Sequence, residues 1–259
     1  MMKKILIISI LLSSVCIIKA ETVSGTCGDD GSVLNWSFDT STGIFTIRGT
    51  GAMRHYTYSS DAPWHQYRSQ IEILNLTPGL TIIGRNAFSY CRNLELVIIP
   101  SGVTLIGGEA FSACSSLRSI SIPNTVNRIA PSAFSSCTAL EQLFIPESVT
   151  DITSNAFAYC TALSSITCEA SNPPTLSSGV FYEVDKSIPL YVPTESVTLY
   201  QTANGWKEFY NILPIQGTQT TILDIPAEIP QNKIMYNGKL LIRHNDKLYS
   251  VTGAEVNIP

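Results

Sequence analysis

The sequence predicts an α/β solenoid: a parallel β-sheet of about six 23-residue coils, with short helical or 3₁₀ turns on the other wall, an N-terminal β-hairpin cap and a small C-terminal β-meander. Three observations predict it. Phe88, Phe111, Phe134 and Phe157 lie 23 residues apart, as do Cys91, Cys114, Cys137 and Cys160, and a fixed step of roughly 20–50 residues is the mark of stacked repeats. Leu94, Leu117, Leu140 and Leu163 keep the same step, as do Ile83, Ile106, Ile129 and Ile152, and Pro100, Pro123 and Pro146. Each period also holds a short β-branched run ended by proline, and both ends of the array carry apolar runs separated by turn residues.

The N-terminus reads as a secretory signal over residues 1–20. Lys3 and Lys4 supply positive charge, residues 5–18 are apolar, and Ile18-Lys19-Ala20 is a tolerable cleavage site, so the mature chain starts at Glu21. The 14 apolar residues are too few to cross a bilayer, which takes about 20. A lipid anchor on Cys16 is the alternative, disfavoured by Val15 where a small residue is wanted. No other stretch is long and apolar enough to span a membrane.

Residues 21–68 form the cap. Leu34, Trp36 and Phe38 alternate with polar residues, as do Phe45 and Ile47 beyond the turn-forming residues 40–43. The resulting hairpin has one apolar face with which to cover an otherwise open first coil.

Residues 69–214 form the solenoid. In the unit 94–116, Leu94-Glu95-Leu96-Val97-Ile98-Ile99 is the strand, Val103 and Ile106 form a second inward run, and residues 107–114 make one helical or 3₁₀ turn. A lone coil cannot bury these side chains, so neighbours stacked about 4.8 Å away supply the core. The array starts at residues 71–76. It closes with a degenerate coil in which Phe181 follows one inserted residue and Leu190-Tyr191-Val192-Pro193 is the strand. Residues 215–232 read as a polar linker and 233–259 as a β-meander turning at Asn237-Gly238.

Val103-Thr104-Leu105-Ile106-Gly107, Ala110-Phe111, Cys114, Leu117, Ile120 and Ile122-Pro123 resemble the BspA-like leucine-rich repeats of surface proteins from Bacteroidales-type bacteria. The likeness extends from Ser24 to Pro214 through Gly49-Thr50-Gly51-Ala52-Met53, Ala62-Pro63-Trp64, Asn172-Pro173-Pro174-Thr175 and Gly205-Trp206. It implies an α/β leucine-rich-repeat solenoid at the cell surface, of a family associated with attachment to host matrix proteins and to other bacteria. The tail around Leu248-Tyr249-Ser250-Val251-Thr252-Gly253 resembles the C-terminal sorting modules of such bacteria, though it is shorter. A plain β-meander is the equal alternative.

A net charge of −4, from 16 Lys+Arg against 20 Asp+Glu, offers no field for gathering phosphates, so nucleic acid is not expected as a partner. No nucleophile elbow, phosphate loop or zinc-protease helix occurs, and neither an enzyme nor a cofactor is expected. Cysteines spaced one per coil cannot all reach one zinc ion about 2.3 Å away. They read instead as small buried hydrophobes, with disulfides between coils the minor alternative and the pairing of Cys27 and Cys168 unassigned. His55, Asp61 and His65 share one aromatic loop without the spacing of a catalytic relay.

The outward sheet face is the expected binding surface. Glu72, Glu95, Arg118, Glu141 and Ser164 make one outward column; Ile73, Leu96, Ser119, Gln142 and Ser165 a second; Asn75, Ile98, Ser121, Phe144, Thr167 and Tyr191 a third. Ile98, Arg118, Phe144 and Tyr191 are the candidate contacts for a host or bacterial surface protein, since apolar residues ringed by polar ones anchor interfaces. A glycan stacked on Tyr58, Trp64 and Tyr67 is the alternative, and a ligand-free structural spacer the third reading.

Overall fold

Each period contributes two strands, one to each of two parallel ladders. The computed structural model describes residues 22–215 and the strands at 233–236, 239–244 and 247–250. Residues 1–21, on which the expected export signal and Cys16 fall, and residues 216–232, 237–238, 245–246 and 251–259 lie outside the described residues.

The cap supplies β1 (Thr22–Thr26), β2 (Val33–Asp39) and β3 (Ile44–Ala52). The coils supply β4 (Ile73–Leu76), β5 (Leu80–Ile83), β6 (Leu96–Ile98), β7 (Leu105–Ile106), β8 (Ser119–Ser121), β9 (Arg128–Ile129), β10 (Gln142–Ile145), β11 (Asp151–Ile152), β12 (Ser165–Cys168), β13 (Thr175–Leu176) and β14 (Pro189–Val192). Helix α1 (Val197–Thr202) and β15 (Asn211–Pro214) close the array. One ladder runs β3-β4-β6-β8-β10-β12-β14-β15 and the other β3-β5-β7-β9-β11-β13. The proline that follows β6, β8 and β10 also starts the bend to the second ladder: the Pro100, Pro123 and Pro146 carbonyls accept the N–H groups of Val103, Val126 and Val149 at 3.0, 3.0 and 3.1 Å.

The hairpin does more than cover the first coil. β2 and β3 pair antiparallel, whereas β3 pairs parallel with both β4 and β5, so the cap is itself the first rung of each ladder. Gly49, at φ 116°, lies where a side chain would strike the Val33 carbonyl, so only glycine permits this approach. At the far end β15 adds one more parallel strand beside β14, a rung beyond the six coils.

The turn wall differs from the helical or 3₁₀ turn expected. The i→i−3 bonds of such a turn are present, as from Ala110 to Gly107, Ser112 to Glu109 and Cys114 to Phe111, but they alternate with N–H groups that bond the next coil. Two left-handed residues per coil produce the alternation: Asn86 and Tyr90, Glu109 and Ala113, Ser132 and Ser136, Asn155 and Tyr159, all with φ between 55° and 62°. A helix cannot continue through such a residue. In exchange, the wall gains a hydrogen-bonded ladder of its own.

The interior holds the repeated columns. Phe88, Phe111, Phe134, Phe157 and Phe181 form a continuous stack with centroids 5.7, 5.4, 5.3 and 5.9 Å apart. A buried tryptophan closes each end: Trp64 lies on Phe88 and donates Nε1–H to the Ala87 carbonyl (2.7 Å), and Trp206 lies against Phe181 and donates to the Pro174 carbonyl (2.8 Å). The thiols of Cys114, Cys137 and Cys160 donate to the carbonyls of Phe88, Phe111 and Phe134 at 3.2, 3.2 and 3.3 Å. That hydrogen bond explains why the column is cysteine rather than alanine. The six described cysteines, Cys27 and Cys168 among them, are all free. Tyr200 on α1 reaches back to the Ala170 carbonyl (2.7 Å) and fastens the C-terminal cap.

Beyond the solenoid, β16 (Lys233–Tyr236), β17 (Lys239–His244) and β18 (Lys247–Ser250) form a separate antiparallel sheet, the meander expected there.

Candidate binding face

The third outward column is continuous across the first ladder. Strand register places Thr46, Asn75, Ile98, Ser121, Phe144, Thr167, Tyr191 and Leu213 side by side on eight adjacent strands. Ile98 is 45% exposed, while Phe144 and Tyr191 are half-buried. Beside Phe144 a shallow cavity of about 240 Å³ opens, lined by Ser121, Pro123, Asn124, Pro146 and Glu169. Phe144 therefore stands at a recess walled by Ile122 and two prolines as well as by polar side chains.

Not every outward position is accessible. Asn75 and Thr167 in this column, and Ile73 in the neighbouring one, are buried. Thr167 is a small side chain flanked by Phe144 and Tyr191 on the adjacent strands, and Ile73 lies between Ile44 and Leu96. For Thr167 the larger side chains about 4.8 Å away on either side supply the cover, which an alternation rule does not capture.

At the start of the strands the Arg118 guanidinium meets Glu141 at 3.1 Å, with 58% and 55% of the two side chains exposed. An ion pair this wet contributes little to stability and leaves both charges available to a partner.

The alternative aromatic patch does not exist as a surface. Trp64 is 1% exposed and packs edge-on against Trp36, Phe45 and Tyr56, so it has no free face to offer a sugar. Tyr67 is partly buried against Phe38. Only Tyr58, at 69%, stands in solvent. The loop's aromatics were drawn into the cap because its hairpin alone leaves the first Phe rung uncovered. Its polar residues hold the cap in place: His55 Nδ1 accepts the Arg85 N–H (2.9 Å) and Asp61 Oδ2 accepts the Tyr58 N–H (2.9 Å).

The buried thiols offer no nucleophile. Burial pushes Cys91 and Cys160 up to about 12, and Cys114 and Cys137 well above the ordinary value of 9.0. Reactive cysteines have the opposite shift. Cys168, raised to about 11 by burial and partly offset by the Tyr200 hydroxyl, belongs with them.

A solenoid of stacked 23-residue coils with an open outer sheet is a repeat protein, of the class whose stacked units present extended faces. Residues 65–201 match the BspA-type leucine-rich repeat region in six copies, more than half of the chain, and the protein belongs to that family. Among solved structures it is similar to a leucine-rich repeat protein of Eubacterium ventriosum (18% identity, covering 75% of this chain and 68% of that one, TM-score 0.40). It is also similar to one of Treponema pallidum (20% identity, 67% and 90% covered, TM-score 0.41). A third is a leucine-rich cell surface protein of Faecalibacterium prausnitzii (18% identity, 88% and 61% covered, TM-score 0.41). No curated protein matches the chain. Among the described residues, no helix is long and apolar enough to cross a membrane.

Proposed function

We propose that the chain is a secreted or cell-surface binding protein that engages a host or bacterial surface protein through its outward sheet face, with Ile98, Phe144 and Tyr191 as anchors and Arg118 at the edge. The observation that carries this reading is the in-register outward column, in which apolar side chains recur on a face otherwise rich in polar and charged residues. Interface anchors are characteristically such residues set among polar ones. The export reading of residues 1–20 supports a face outside the cell.

The test is a binding screen against immobilised matrix proteins and whole bacteria, with Ile98, Phe144 and Tyr191 replaced together by alanine. Loss of binding in a variant that melts like the parent supports the proposal. Binding that survives this variant but is lost in Tyr58→Ala moves the site to the cap loop. No binding by the parent leaves the spacer reading. Cell fractionation of the full chain beside one ending at Pro214 reports whether the tail directs attachment.

A further inference from the structure

At four successive levels the turn wall passes three N–H groups to the coil that follows. Asn86, Phe88 and Tyr90 donate to the carbonyls of Gly108, Ala110 and Ser112, and the pattern recurs down to Asn155, Phe157 and Tyr159 on Ser178, Val180 and Tyr182 (3.2, 3.0 and 2.8 Å). The sixth coil keeps the conformation one residue later, with Gly179 (φ 68°) and Glu183 (φ 59°) in the two left-handed places. Its corresponding donors are the N–H groups of Gly179, Phe181 and Glu183, and no described residue accepts them.

At the opposite end two of the three corresponding carbonyls are covered. There the carbonyls of Arg85 and Ala87 accept the Tyr56 N–H (3.0 Å) and the Trp64 indole (2.7 Å). The carbonyls of the sixth wall are served as well, because Lys186 Nζ donates to Phe181 and Val184 at 2.6 and 2.8 Å. What remains at the C-terminal end is a row of three donors without acceptors among the described residues. They border an open-sided cavity of about 390 Å³ between the sixth wall and the cap, lined in part by Tyr182, Glu183, Lys186, Asn204 and Glu208.

We propose that this cavity binds a short extended peptide segment with a basic side chain, whose backbone carbonyls pair with the N–H groups of Gly179, Phe181 and Glu183. At each of the four preceding levels the same donor triple is satisfied by backbone carbonyls at i, i+2 and i+4, a spacing that a polypeptide supplies, and main-chain pairing of this kind is an established mode of peptide recognition. The volume, within the roughly 300–1,000 Å³ of small-ligand sites, admits a few residues and not a further coil. Glu183 and Glu208 line the cavity against the one lining cation, Lys186, so the surplus charge is negative and suits a cation. Tyr182, 53% exposed and edge-on to Tyr159 at 5.3 Å, gives an aromatic rim.

The experiment is amide NMR on the ¹⁵N-labelled full chain, titrated with an acetylated, amidated Ala-Lys-Ala-Lys-Ala peptide. Saturable shifts and slowed hydrogen exchange at Gly179, Phe181 and Glu183 are expected. Glu183→Gln combined with Glu208→Gln should weaken binding roughly 3–10-fold, the worth of two exposed charge contacts. The proposal is overturned by unshifted amides at these positions, by equal binding of Ala-Glu-Ala-Glu-Ala, or by chitotriose shifting them where the lysine peptide does not. Shifts confined to Ile98, Phe144 and Tyr191 would overturn it too, by assigning peptide binding to the outer face.

Discussion

Phe134 and Phe157 stack with centroids 5.3 Å apart and planes 2° from parallel, the closest and flattest contact in the phenylalanine column. Each ring touches a ring above and a ring below, so truncation removes two contacts and leaves a void that its neighbours in adjacent coils cannot fill by local collapse. Phe134→Ala should lower stability by about 3–5 kcal/mol. Denaturant unfolding measures it, and a loss under about 1 kcal/mol would mean that the ring is not buried.

The cysteines make stability sensitive to alkali. Their folded values are raised, so the stability they contribute is full below the unfolded value of 9.0 and is lost as pH climbs towards about 12 for Cys91 and Cys160 and about 11 for Cys168. Across that window each thiol withdraws about 1.4 kcal/mol per pH unit. Thermal melts should be flat from pH 7 to 9 and fall steeply above it. Cys91→Ala with Cys160→Ala should melt lower at neutral pH but decline less steeply. An unchanged slope would point to other groups.

Trp64 and Tyr58 share a loop but belong to different environments, and substitution separates them. Trp64→Ala opens the first Phe rung and should cost about 3–5 kcal/mol, whereas Tyr58→Ala should change stability by no more than about 0.5 kcal/mol. Equal effects in chemical denaturation would contradict the burial described for the cap.

Arg118→Ala should leave the melting temperature almost unaltered, since an exposed pair contributes about 0–1 kcal/mol. Its effect should fall on association with an acidic partner, seen as a slower on-rate at low salt that converges with the parent at high salt.

The interior was legible because it repeats: Phe, Cys, Leu and Ile recur in columns that only stacking can bury, and the strand register places them where a step of 23 implies. The wall was not. In the four walls before the last its left-handed positions are filled by Asn, Tyr, Glu, Ala and Ser, so no glycine advertises them there, and the conformation accompanies the bonds to the next coil. The caps were read only in outline. β1 pairs through Gly25, beside which the Trp36 indole lies, and α1 is too short for periodicity to reveal. For the binding face, sequence named the column but not its relief, because whether Thr167 is covered depends on the size of Phe144 and Tyr191 beside it. The row of open donors at the sixth wall had no sequence signal, since main-chain groups carry none.

One property follows from the constant step between levels. Excising residues 117–139 would join Ser116 to Leu140, which occupies in its own level the place that Leu117 holds in the one before. Every interior side chain would then find an equivalent neighbour, and the molecule would be shorter by about 4.8 Å. Removing 22 residues instead would misplace everything downstream. Length is therefore a dial with discrete stops, by which descendants of this gene can lengthen or trim their reach without inventing a new interior.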